Sequence, residues 1–179
     1  MEFINDESSQ NIIDISNTAD WFSFKKEATA SNDPFAVDIE ELKKFKVTKS
    51  FTFSQEDSLE EVCNAPESAS GVFLVYAIDG EEKELIMVGS TGTVQNDGSL
   101  KSKNGGLYDK IVNGHQFAKT GRKYSWPAQM KLENIDRLEV AWYDTFNEKV
   151  KVIPTFVEGQ VLQNFLDEKG SLPKWNVAF

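Results

Sequence analysis

Cysteine and histidine are almost absent from this chain. Its 179 residues include one cysteine, Cys63, and one histidine, His115. A single thiol cannot form an internal disulfide bond, and these two residues alone cannot complete the usual four-ligand zinc sites. The composition therefore excludes a disulfide-stabilised scaffold and a zinc-finger-like module, and it favours a reducing, intracellular compartment.

Long apolar runs are absent as well. The first residues, MEFINDESSQNIIDIS, are acidic and polar, whereas a signal peptide needs a basic start and a long apolar stretch. No later run approaches the roughly 20 apolar residues that cross a bilayer. We therefore expect a soluble, cytoplasmic protein without a membrane partner. With 40% hydrophobic residues, the chain can build one core.

Positive charge is scarce overall but unevenly distributed. The formal net charge is −10, which by itself argues against a nucleic-acid partner. Residues 1–70 hold 15 Asp and Glu against 6 Lys, a net charge of −9, so residues 71–179 sum to only −1. Between Lys101 and Lys131, seven Lys and Arg residues accompany one acid, Asp109. This segment is either a phosphate-facing surface or a solvated loop and helix face. The candidate DNA-binding cations in it are Lys101, Lys103, Lys119, Arg122 and Lys123.

The clearest local pattern is a β-hairpin within residues 71–89, GVFLVYAIDGEEKELIMVG. It predicts strands over 72–78 and 84–88, joined by a loop with the turn pair Asp79-Gly80. The first strand is apolar on both faces, which predicts that other elements cover it on both sides.

Residues 1–70 are predicted to form an acidic N-terminal extension with α/β character. Its one amphipathic helix should begin at Asp33-Pro34, with Phe35, Ile39, Leu42 and Phe45 at helical spacing. A strand over 45–53 and a short helix over 56–64 follow. An aromatic group at residues 21–24 should dock on the core, and the extension is also a candidate DNA mimic.

Residues 71–179 are predicted to form the second unit, with three helices and a third strand after the hairpin. A helix from Leu107 to about residue 117 would place Ile111 and His115 on one face. A lone histidine there is more often structural than catalytic, and both readings stay open. A helix over 127–134, a strand over 138–144 and a last helix from Pro154 to Gly170 complete the unit. The glycine-rich loop 90–106 lacks nucleotide-binding motifs.

Glu158 stands beside the apolar stripe of the last helix. The stripe consists of Val157, Val161, Phe165 and Leu166. An unpaired carboxylate at the edge of a buried face is costly. Glu158 should therefore either pair with a lysine or arginine, or hold a metal ion at the floor of a site.

In this order, the elements resemble the GIY-YIG nuclease domain, in particular its compact restriction-enzyme-like bacterial branch. Phe73 closes the tripeptide Gly71-Val72-Phe73 at the first signature position, and Met87-Val88-Gly89 stands at the second. The segment 105–111 followed by His115 resembles the helix that carries the family's arginine and histidine. Glu158 matches the metal-binding glutamate, and Asn176 matches the asparagine of the C-terminal tail. The resemblance implies an α+β fold with a small three-stranded antiparallel sheet flanked by helices.

The resemblance further implies a metal-dependent endonuclease that hydrolyses DNA phosphodiester bonds. One Mg²⁺ or Mn²⁺ ion would bind Glu158, Lys110 would stabilise the transition state, and Asn176 would orient a group in the site. Both signature tyrosines are replaced, by Phe73 and Met87, and Lys110 stands in place of an arginine. His115 is therefore the first candidate for the general base and Tyr108 the second.

These replacements leave a second function open. A catalytically degenerate domain of the same fold would bind DNA or a protein partner without cleaving it. A third interpretation is a structural domain whose similarity arose by chance.

Overall fold

The computed structural model describes residues 42–45, 48–102 and 104–179. Its strands are β1 (Thr48–Ser54), β2 (Gly71–Asp79), β3 (Glu82–Thr91), β4 (Thr93–Val94), β5 (Leu100–Lys101) and β6 (Arg137–Asp144). Its helices are α1 (Leu59–Val62), α2 (Gly106–Val112), α3 (Arg122–Glu133) and α4 (Pro154–Lys169). None of the helices in these ranges is long and apolar enough to span a membrane.

An antiparallel sheet with the strand order β1-β6-β2-β3 organises the fold, and β4 pairs with β5 in a separate hairpin. The predicted hairpin is confirmed as β2 and β3, although its two-residue turn is Gly80-Glu81, with Gly80 at a φ of 59°. The predicted α+β class is confirmed, but the sheet has four strands where three were expected. The fourth strand, β1, comes from the segment assigned to the N-terminal extension and pairs with β6 along its whole length.

The sheet is covered on both faces, as the apolar pattern of β2 predicts. Phe73 and Val75 point into one core cluster, which includes residues of α1, α2 and α3. Val72 and Leu74 point into a second cluster with the buried side of α4. Alternate side chains of one strand thus anchor helices on opposite faces.

Helix α2 is shorter than predicted, and this changes the place of His115. The helix ends at Val112, and the pair Asn113-Gly114 follows its last turn. Asparagine and glycine are both weak helix formers, which favours an end of the helix at this pair. His115 instead forms an isolated β-bridge with Gly121, so it lies in a loop between α2 and α3.

Helix α3 begins five residues before the predicted start at Pro127. Arg122, Trp126 and Met130 recur at four-residue spacing and are all buried. Burial of this stripe outweighs the backbone hydrogen bond that a proline inside the helix removes. The helix predicted over 127–134 therefore starts too late.

The last two predicted elements are confirmed. β6 spans the predicted third strand, and α4 runs from Pro154 to a left-handed cap at Gly170. Leu162 belongs to the buried stripe of α4, whereas Leu166 is 38% exposed. The predicted helix from Asp33 lies almost entirely outside the described residues, as do residues 21–24. Of that helix, Leu42 and Phe45 are described, and both are buried in the cluster beside α4.

Candidate active site

A cleft of about 350 Å³ lies at the edge of the sheet, where the end of β3 meets helices from both faces. It is lined by the end of β3 and the first residues after it, from Met87 to Thr93. Lys110 of α2 and Arg122 of α3 approach from one face, and Glu158 of α4 approaches from the other. Residues far apart in the sequence thus meet because the sheet separates the helices everywhere except at its edge.

Glu158 is the carboxylate of this cleft, and it is half-buried. Its Oε2 accepts a hydrogen bond of 2.5 Å from the Ser90 hydroxyl. Burial raises the pKa of Glu158 above its usual range, while the Ser90 hydrogen bond and the charges of Lys110 and Arg122 act in the opposite direction. The ion pairs among the described residues do not include Glu158. The sequence left two explanations for Glu158, an ion pair with lysine or arginine and a bound metal ion. The first, a close ion pair, is not found among the described residues.

The oxygen groups of the cleft lining are one carboxylate, the hydroxyls of serine and threonine residues and the Asn176 amide, and oxygen is the ligand that hard divalent cations prefer. No group of three or more His, Cys, Asp or Glu side chains suited to a metal occurs among the described residues. Glu158 would therefore be the one protein carboxylate on the ion, as Mg²⁺ accepts when water and phosphate complete its shell. The Thr91 hydroxyl lines the same cleft and is buried without a hydrogen-bond partner in the described structure. Among the described residues, the cleft lining thus holds one unsatisfied hydroxyl oxygen and no histidine or cysteine, the side chains that bind zinc.

Arg122 occupies the cleft in a way that the sequence did not indicate. The sequence predicts Arg122 as one of several DNA-binding cations. In the structure the residue is only 5% exposed. Nε donates to Gln116 Oε1 at 3.1 Å, and Nη1 donates to the Lys110 carbonyl oxygen. Burial lowers the pKa of Arg122 to about 10, against the opposing effect of the Glu158 charge, so the guanidinium remains protonated at neutral pH. Its four-residue spacing from Trp126 was the signal that could have revealed this burial.

Asn176 also lines the cleft, but both ends of its side-chain amide bond the backbone of β3. Its Oδ1 accepts from Val88 N and its Nδ2 donates to Val88 O, both at 2.8 Å. The preceding backbone N–H, of Trp175, donates to Ile86 O at 2.8 Å. The C-terminal tail therefore pairs with the outer edge of β3, and Asn176 fixes the strand that forms the cleft floor.

The two candidate bases do not line the Glu158 cleft. His115 is exposed and lines a neighbouring cavity of about 290 Å³, which shares Lys110 and Thr91 with the cleft. Tyr108 lines neither cavity, and its hydroxyl donates to the Glu60 carbonyl oxygen at 3.2 Å. The structure thus brings Lys110, Glu158 and Asn176 together, places His115 next door and leaves Tyr108 apart.

The signature positions contribute packing to the site. Phe73 is fully buried, and the Arg122 guanidinium lies over its ring at 5.4 Å. Met87 and Gly89 line the cleft directly. Among the described residues that line the cleft, none is a tyrosine or histidine.

The other predicted DNA-binding cations have different surroundings. Lys101 at the end of β5 and Lys119 in the loop before α3 are exposed. Lys123 forms an ion pair of 2.7 Å with Glu60, which offsets its charge. Lys103 lies outside the described residues. The basic segment of the sequence is therefore divided between the cleft, an ion pair and exposed positions.

Comparison of the chain with protein-family models, with curated protein sequences and with solved structures finds no match.

Proposed function

We propose that this protein is a divalent-metal-dependent endonuclease with a GIY-YIG-like fold that hydrolyses DNA phosphodiester bonds. The observation that carries the proposal is the half-buried carboxylate of Glu158, which shares one cleft with the cations Lys110 and Arg122. Such a site can bind a metal ion on the carboxylate and a phosphate on the cations at the same time. The sequence resemblance supplies independent support, because it selects Glu158, Lys110 and Asn176 without reference to the cleft.

Each side chain of the cleft has a definite task in this proposal. Glu158 would hold Mg²⁺ or Mn²⁺, and the bound ion would stabilise the negative charge that develops on the phosphate and the leaving oxygen. Ser90 orients the carboxylate through its hydrogen bond. Lys110 and Arg122 attract the phosphate, and Asn176 keeps the β3 edge in place. Water oxygen then bonds to phosphorus, the bond to the leaving sugar oxygen breaks, and a base accepts the proton of the water.

His115 remains the first candidate for that base, acting through water from the cavity on the other side of Lys110. The His115→Ala protein should cleave DNA about a hundredfold more slowly than wild type, since general base catalysis contributes on the order of 10²–10⁴. Tyr108→Phe serves as the matched comparison, because Tyr108 lines neither cavity. Unchanged cleavage by the His115→Ala protein in a timed gel assay would remove the histidine from the mechanism.

The proposal is tested by incubating the purified protein with supercoiled plasmid in Mg²⁺, in Mn²⁺ and in EDTA. We expect nicked or linear product in either metal and none in EDTA. A Glu158→Ala protein, purified in the same way, shows whether the activity belongs to this cleft or to a contaminant. If the wild-type protein leaves the plasmid intact in both metals, the endonuclease proposal fails.

The acid limit of the pH profile should depend on Ser90. Metal binding needs the ionised form of Glu158, and burial already raises the pKa of this carboxyl. Ser90→Ala removes a hydrogen bond that stabilises the charged form, so the pKa rises further and activity is lost at a higher pH. Ser125→Ala is the control, because that buried hydroxyl has no partner in the described structure. Superimposable pH–rate curves for wild type and the Ser90 variant would contradict this coupling.

A second candidate function, DNA or protein binding without cleavage, is favoured by one observation. No tyrosine or histidine lies among the described residues of the cleft lining. At the two signature tyrosine positions stand Phe73, which is buried, and Met87, which carries a thioether. Neither side chain can take a proton from water. A protein that binds DNA but leaves plasmid intact in both metals would establish this alternative over the enzyme.

A further inference from the structure

Arg122 is a buried cation without a carboxylate partner in the described structure. The ion pairs formed among the described residues do not include it. Its two hydrogen bonds go to neutral oxygens, the side-chain amide of Gln116 and the backbone carbonyl of Lys110. Burial of an arginine charge is unfavourable unless another charge compensates it. The Glu158 charge acts on the guanidinium without forming an ion pair with it. Since the guanidinium lines the cleft, an anionic ligand can provide compensation in direct contact.

The surrounding residues hold the guanidinium in one orientation. Gly114 leaves room for the Arg122 guanidinium, because a Cβ atom at position 114 would lie 2.2 Å from Arg122 Nη1. The rings of Phe73 and Trp126 lie 5.4 and 5.7 Å from Arg122 Cζ. These contacts fix the planar group without neutralising its charge, as a site prepared for an anion requires.

Gln116 links this arrangement to the rest of the cleft. Its Oε1 accepts from Arg122 Nε and also from Trp126 Nε1 at 2.9 Å. Its Nε2 donates to the Trp175 carbonyl oxygen at 2.9 Å. Trp175 precedes the asparagine that fixes β3. One side-chain amide therefore positions both the arginine and the tail.

We propose that Arg122 of α3 is the cation that binds the substrate phosphate directly, and that Gln116 is its positioning residue. The substrate in this inference, a DNA phosphate, rests on the proposed function. The sequence resemblance places the phosphate-binding cation at position 110, where lysine cannot form the planar two-point contact of a guanidinium. Arg122 reaches the same cleft from the next helix and carries N–H groups that the two protein hydrogen bonds leave over. The unpartnered Thr91 hydroxyl offers a further donor to the same phosphate.

The first test measures binding of a fluorescent DNA duplex in EDTA, where metal-dependent cleavage cannot occur. Fluorescence anisotropy over a series of salt concentrations gives both the affinity and its salt dependence. Arg122→Gln should weaken binding about tenfold and lower the slope of log K against log salt by about 0.9, the loss of one phosphate contact. Lys131→Gln, which removes an exposed cation from the same helix, should change the affinity much less. Equal affinity and slope for wild type and Arg122→Gln would overturn the inference.

A second variant, Gln116→Glu, decides the matter if Arg122→Gln does not fold. It has nearly the same shape as wild type but gives Arg122 a carboxylate counter-ion inside the protein. If the arginine charge serves phosphate binding, DNA affinity should fall several-fold while the protein remains folded in a thermal melt. If Arg122 only supports the fold, the new ion pair leaves DNA affinity unchanged, and the inference fails.

The outcomes separate this inference from the proposed function. Should wild type bind DNA through Arg122 without cleaving it in Mg²⁺ or Mn²⁺, the phosphate contact stands and the endonuclease does not. Should wild type cleave DNA while both variants bind it normally, the endonuclease stands and the role of Arg122 does not. A wild-type protein that neither binds DNA in EDTA nor cleaves it in Mg²⁺ or Mn²⁺ contradicts both.

Discussion

A Glu158→Gln protein is expected to fold at least as well as wild type and to cleave DNA at least about a hundredfold more slowly. The substitution preserves the shape of the side chain but removes the charge that would bind the metal ion. Loss of one group that stabilises transition-state charge commonly costs on the order of 10²–10³ in rate. The expected loss therefore falls on the chemical step and on metal affinity.

The stability of the same variant provides a second, independent readout. Because burial raises the pKa of Glu158 in the folded protein, the folded state holds its proton to a higher pH than the unfolded state does. Between the two pKa values stability falls as pH rises, so the ionised carboxylate destabilises the fold at neutral pH. A neutral glutamine should remove this cost and melt at the wild-type temperature or slightly above it.

Glu168→Gln is the matched control for both measurements, since Glu168 is exposed near the end of the same helix. It should leave the melting temperature and the cleavage rate close to wild type. A clear loss of stability in Glu158→Gln would instead show that the carboxylate supports the fold. In that case the raised pKa would not indicate a functional site.

Gly71→Ala is expected to lower the free energy of unfolding by about 3 kcal/mol, at the upper end of the usual cost of overpacking. A Cβ atom at Gly71 would lie 1.9 Å from the Tyr143 carbonyl oxygen and 2.9 Å from the Thr145 backbone nitrogen. Both neighbours are backbone atoms beside the β2–β6 pairing, so the strand itself must shift. Urea denaturation followed by circular dichroism measures the effect.

Gly159→Ala is the comparison for this prediction. The new Cβ atom would meet only the ring of Phe179, at 3.3 Å, and alanine favours the helix by about 1 kcal/mol over glycine. This variant should unfold at the wild-type urea concentration or above it. If Gly71→Ala unfolds together with Gly159→Ala, the first signature glycine is not required by packing.

Local patterns in the sequence were sufficient for about half of the fold. The hairpin, β6 and α4 each carry their own signal, namely β-branched runs, a turn pair, or a proline and glycine at the helix ends. The pairing of β1 with β6 joins residues more than eighty positions apart, and no local pattern encodes such a partner. The strand predicted over 45–53 corresponds to β1, but its place as the fourth strand of the sheet was missed for this reason.

The residues of the candidate site were likewise predictable only in part. Glu158 could be predicted, because a carboxylate beside an apolar stripe is conspicuous in one helix. The burial of Arg122 could not be predicted from its charge, which suggests an exposed residue unless the spacing to Trp126 and Met130 is weighed more heavily. The double hydrogen bond of Asn176 to Val88 depends on where the tail crosses β3, which the sequence does not specify.

The most direct test of the central claim is a single-turnover cleavage assay on an end-labelled DNA duplex, with wild type, Glu158→Gln and Glu168→Gln side by side in Mg²⁺. Our account predicts cleavage by wild type and Glu168→Gln that EDTA abolishes, and a rate lower by at least about a hundredfold for a folded Glu158→Gln protein. Equal rates for wild type and Glu158→Gln, or no cleavage by wild type, would contradict it.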